Sequence, residues 1–74
     1  MNSTETAQVR VSLNGEDREV PSGLSVEGLL LHLGLHPRLV VVEHNGEILR
    51  REGYEGVDVR EGDRLELVHF VGGG

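Results

Sequence analysis

Three consecutive glycines, Gly72, Gly73 and Gly74, close the sequence directly behind the apolar run Leu67-Val68-His69-Phe70-Val71. A glycine run alone is ordinarily just a loose end; its place behind an apolar strand pattern is what points to chemistry. Extended, three residues reach about 10 Å at ~3.3–3.6 Å each, and glycine has no side chain to bar a narrow channel. Such an arm offers one carboxylate, that of Gly74, end-on to a partner. A carboxylate is a poor electrophile because its leaving group is oxide. Transfer of AMP from ATP turns it into a mixed anhydride, and a sulfur nucleophile can then displace AMP and leave a thiocarboxylate with a soft, nucleophilic sulfur. Partner enzymes supply the metal, the phosphate clamps and the sulfur donor. The arm supplies reach, and the domain behind it a docking face.

No other constellation carries chemistry of its own. His32 and His36 have the four-residue spacing of paired helix ligands, but Gly34 and Pro37 interrupt the helix around them and no third ligand is evident, so no metal site is expected. His44 and His69 fall on strand patterns and read as structural or interfacial. The serines each have a local role in leader, strand, turn or cap. The acidic residues are scattered, so no catalytic carboxylate pair is implied. No glycine-rich turn carrying a lysine leads from a strand into the helix, which excludes a phosphate loop. No residue of this chain is assigned as catalytic.

Size and charge agree with that division of labour. A chain of 74 residues makes one small domain, too small for a deep, walled active site. Thirteen acidic residues against seven basic ones, all arginine, give a net charge of −6. That sign argues against nucleic acid and for a basic protein partner. With no cysteine, disulfides, thiolate metal sites and cysteine nucleophiles are excluded. No apolar run approaches the roughly 20 residues of a membrane span, and residues 1–8 lack a signal-peptide pattern. A cytoplasmic monomer with a flexible leader over 1–8, a folded domain over 9–71 and a flexible tail over 72–74 is expected.

The elements that must position the tail follow from periodicity. Val9, Val11 and Leu13 alternate with polar residues, as in a half-buried strand. Asn14-Gly15 suits a type I′ hairpin turn into a return strand over 16–20, ended by Pro21-Ser22-Gly23. Ser25 caps a helix, Glu27 meets its dipole, and Val26, Leu29, Leu30 and Leu33 form its buried stripe. Gly34 stops it in the left-handed conformation with Leu35 packing back. Gly28, costly inside a helix, is expected to allow close packing on the sheet. The run 39–42 reads as a strand covered on both sides, Asn45-Gly46 as a second hairpin turn, and 47–50 as its partner. Residues 51–58 read as irregular, with Tyr54 tucked under the domain edge, and 64–71 as the last strand. In that strand Val68 and Phe70 alternate against Leu65, Leu67 and His69, so one set looks away from the helix. Val68 and Phe70 are expected to do so and to dock partners, aromatic anchors dominating interface energies. The alternative is that Phe70 closes the bottom of the core. Hairpin, helix, strand, short strand, strand, with one apolar helix stripe to cover, implies an α+β fold. Its mixed sheet of four or five strands packs on one helix, the first strand lying central and parallel to the last, which is the β-grasp arrangement.

Five pieces in order, Asn14-Gly15-Glu16, Leu24-Ser25-Val26 with Leu29-Leu30, Val40 through Ile48, Gly62-Asp63-Arg64-Leu65-Glu66 and Val68 through Gly74, resemble the ThiS family of thiamin-biosynthesis sulfur carriers over roughly Val9 to Gly74. The resemblance implies a ubiquitin-like fold, adenylation of Gly74 by an E1-like adenylyltransferase, and conversion of Gly74 to a thiocarboxylate (1-thioglycine) by a sulfur donor protein. It further implies sulfur delivery to thiazole synthase. ATP is used by the partner, and no cofactor is bound. Gly73 and Gly74 match the family's tail, while Gly72 lengthens it and the leader exceeds what the family needs. The small subunit of molybdopterin synthase shares fold and tail chemistry but resembles a Pro-Pro-Val-Ser-Gly-Gly ending absent here. Carriers for tRNA thiolation or cysteine synthesis, a protein tag, and a β-grasp interaction module without tail chemistry are the other readings.

Overall fold

Alternation over the first residues produces strand β1 (Gln8–Leu13), and the Asn14-Gly15 turn returns it as β2 (Glu16–Pro21). The turn needs left-handed backbone at both central positions; Asn14 has φ 51° and Gly15 φ 86°, as the dipeptide implies. Helix α1 (Val26–His32) follows. The computed structural model describes residues 7–70. Residues 1–6 of the expected leader and residues 71–74, which include the tail Gly72, Gly73 and Gly74, lie outside the described residues.

Both ends of α1 are closed as its sequence dictates. The Ser25 hydroxyl accepts from the Gly28 N–H at 3.0 Å. At the other end Gly34 has φ 79°; its N–H donates to Leu31 O and that of Leu35 to Leu30 O, the paired bonds of a Schellman stop. Val26, Leu29 and Leu30 are fully buried, each contributing on the order of 1.5–3 kcal/mol by leaving water. Gly28 departs from expectation. The nearest atoms a Cβ there would meet belong to Leu24 and Ser25, at 3.4 Å or more and so in ordinary contact, and not to the sheet; close packing on the sheet does not explain the glycine.

A short 3-10 turn (Pro37–Leu39) leads into β3 (Val40–His44), which Asn45-Gly46 turns into β4 (Glu47–Leu49). Leu39 thus belongs to the turn and is exposed, because His36 caps it, accepting from Arg38 N–H through Nδ1, and Pro37 fixes its first residue. A second 3-10 turn (Arg51–Gly53) precedes Tyr54. The Tyr54 ring is buried, and its hydroxyl donates to Val40 O at 2.7 Å, tying the irregular segment to β3. The last strand, β5 (Arg64–His69), is inserted in the sheet centre. Strand order is β2-β1-β5-β3-β4, with β5 parallel to β1 and antiparallel to β3. This is the mixed five-stranded sheet on one helix of a β-grasp domain.

Inward side chains make one core: Val11, Leu13, Val20, Val26, Leu29, Leu30, Val40, Val42, Tyr54, Val59 and Leu65. The helix covers one face of the sheet only. The run 40–42 is therefore covered on one side, with Val40 and Val42 buried and Val41 half-buried on the bare face. No helix among the described residues is long and apolar enough to cross a membrane.

Candidate functional site

The C-terminal glycines follow β5 closely in the sequence, so what holds β5 also fixes the last described residues before them. The start of β5 is gripped by Asn45: the Asn45 N–H donates to Arg64 O at 2.7 Å, and its side-chain oxygen accepts from Arg64 N–H at 2.8 Å. Further along, β1 turns away at Asn14 and could no longer pair with β5. The Asn14 N–H donates to Leu65 O at 2.9 Å. Its side-chain amide then replaces the missing rung, accepting from Leu67 N–H at 2.7 Å and donating to Leu67 O at 3.3 Å. Each Asn-Gly turn therefore shapes a hairpin and also braces the central strand. On the other side, the Phe70 N–H donates to Leu39 O at 2.8 Å, extending the pairing with β3 to the last described residue.

Asp63 and His44 pin the same corner. The Asp63 carboxylate meets His44 Nε2 at 3.0 Å and accepts from Asn45 Nδ2 at 3.2 Å and Arg60 N–H at 2.9 Å. Burial pushes its pKa upward, but the hydrogen bonds from Arg60, His44 and Asn45, with the charge of a protonated His44, outweigh burial and hold it below the ordinary carboxylate value. His44 is thus structural. His36 is spent on its turn, and His32 lies exposed in the last turn of α1. Among the described residues no three His, Asp or Glu side chains are grouped to hold a metal ion.

The bare face carries the apolar surface. Val68 and Phe70 are each 55% exposed and Ile48 68%. Val68 stands opposite Val41, and Ile48 opposite Glu43. Phe70 therefore points away from the helix and does not close the core. Alternation within β5 located Val68 and Phe70; Val41 and Ile48 were missed, because a run of three valines hides which face each occupies. Gly72, Gly73 and Gly74, the expected working tail, lie outside the described residues.

Comparison with known proteins bears on what such a domain does. A model of the ThiS family matches residues 11–74. Over 65 residues the chain is 38% identical to the sulfur carrier protein ThiS of Bacillus subtilis, spanning 86% of this chain and 98% of that one. The crystal structure of the thiamine biosynthesis protein ThiS from Geobacter metallireducens superposes with a TM-score of 0.76 at 36% identity, covering 89% of this chain and all of that one. A thiazole synthase of Magnetococcus marinus is 42% identical over 66 residues, and one of Paramagnetospirillum magneticum 44%. The chain spans only 20% of the length of each of these two.

Proposed function

The chain belongs to the ThiS family, and from that premise we propose that it is a sulfur carrier for thiamin thiazole synthesis, working through the carboxylate of Gly74. The match of the family model from residue 11 through Gly74 carries this reading. In the first step a Gly74 carboxylate oxygen attacks the α-phosphorus of ATP on an E1-like adenylyltransferase, and pyrophosphate leaves. Hydrosulfide released by a donor protein then attacks the acyl carbon, AMP leaves with the electron pair of the broken C–O bond, the proton is lost to solvent, and the thiocarboxylate remains. On thiazole synthase the acyl C–S bond breaks as the sulfur passes to the acceptor, and an oxygen from water or from the acceptor's carbonyl takes its place on the acyl carbon, which regenerates the carboxylate. The chain is a co-substrate throughout. Its own residues hold β5 rigid at the root of the arm and present Val68 and Phe70 beside it as the docking anchor.

A carrier of thiazole sulfur needs thiazole synthase within reach, and the two thiazole synthases that contain a segment like this chain support that partner. The test offers the thiocarboxylate form to purified thiazole synthase and, separately, to the large subunit of molybdopterin synthase. Thiazole product with the first and none with the second is expected. Molybdopterin formation would assign the chain to the other pathway.

A further inference from the structure

We propose that Glu43 and Glu66 form a two-carboxylate seat on the bare face for an arginine or lysine of thiazole synthase, an inference that rests on the sulfur-carrier reading above. The bare face treats charge differently at its two ends. Toward one edge, Arg10 of β1 stands directly opposite Glu19 of β2, and their side chains meet at 3.2 Å. Toward the other, β3 and β5 place Glu43 directly opposite Glu66. Like charges in that relation destabilise a sheet. Among the described residues neither carboxylate forms an ion pair. Arg64 shares the strand and the face with Glu66, two positions away, yet pairs with neither.

The pair lies within the apolar surface, not apart from it. Ile48 flanks it on β4, the Val41–Val68 pair is adjacent along β3 and β5, and Phe70 follows. A partner that covers these apolar side chains also strips water from both carboxylates. Two desolvated like charges are costly unless a cation comes with the partner, and a guanidinium can bond two carboxylates at once. The apolar patch therefore accepts only a surface that carries a basic side chain among its apolar ones. The net charge of −6 favours the same encounter over a distance. Thiazole synthase is the occupant argued for because two such enzymes carry a segment 42% and 44% identical to this chain as part of their own polypeptide.

The test is calorimetric titration of purified thiazole synthase with the full chain, wild type and Glu43→Gln/Glu66→Gln, at low and high salt, with thermal melts of both carriers. The double variant is expected to bind at least ~tenfold more weakly at low salt, with a shallower loss of affinity as salt rises. It is expected to melt no lower than wild type, since removing the repulsion leaves no unpaired charge in the fold. Wild-type affinity and salt dependence in the double variant would overturn the seat while leaving the carrier reading intact. A lowered melting temperature would overturn it too, by showing that the pair already serves the fold. Absence of binding by the wild type would remove thiazole synthase as partner, and the seat with it.

Discussion

Leu65 and Glu66 are neighbours in β5, yet Leu65 is completely buried and Glu66 is exposed beside other exposed side chains. The contrast extends over the whole sheet. Toward the helix, Val11, Leu13, Val40, Val42 and Leu65 meet Leu29 and Leu30 with no buried polar side chain among them. Toward solvent, Val41, Ile48, Val68 and Phe70 form an apolar surface that no element among the described residues packs over. Among the described residues one α-helix packs on the sheet, and it fixes which face becomes core. The other face is left bare, and the strand that carries Val68 precedes the C-terminal glycines in the sequence. Substitutions on the two faces should therefore separate stability from binding.

The largest effect on stability is expected at Leu30. Leu30→Ala should cost about 2–5 kcal/mol, the range for a buried leucine cavity, enough to unfold much of a small domain; urea denaturation followed by circular dichroism measures it. Tyr54→Phe comes next. It keeps the ring but leaves Val40 O without its 2.7 Å donor, for a loss of about 1–3 kcal/mol in the same assay. Asp63→Asn is smaller and pH-dependent. The Asp63 pKa is lowered in the fold, so its contribution is complete above the unfolded value of about 3.9 and disappears as pH falls through the lower folded value. Melting curves of wild type and variant should thus differ at neutral pH and converge in acid. Phe70→Ala should be the smallest, within about 0.5 kcal/mol of wild type as for surface sites, while partner affinity falls sharply. A large drop in melting temperature for Phe70→Ala would erase the distinction between the faces.

Much of this arrangement is legible in the sequence because it is local. Ser25, Gly34 and the two Asn-Gly pairs each dictate backbone conformation within a few residues, and alternation in β5 sorts Val68 and Phe70 from Leu65 and Leu67. What escaped is long-range or masked by composition. Leu39 continues an apolar run but is drawn into a turn by His36 and Pro37. The nearest neighbours of Gly28 are Leu24 and Ser25, not the sheet. The reach of Asn14 to Leu67 spans 53 positions, and Tyr54 finds Val40 across a loop; no periodicity records either. The like-charge pair Glu43–Glu66 appears only once strand register is known. The proposed tail chemistry rests on residue type and position alone, since Gly72 to Gly74 lie outside the described residues.

The central claim is that the Gly74 carboxylate is activated and takes up sulfur. Intact-mass spectrometry tests it after the chain is incubated with an E1-like adenylyltransferase, ATP and a sulfur donor active on the Bacillus subtilis carrier. The account predicts a mass gain equal to exchange of one oxygen for one sulfur, located at Gly74 in the C-terminal fragment, and no gain in a chain with one residue appended after Gly74. An unchanged mass for the wild type while the Bacillus subtilis protein is converted, or equal conversion of the extended chain, would contradict it.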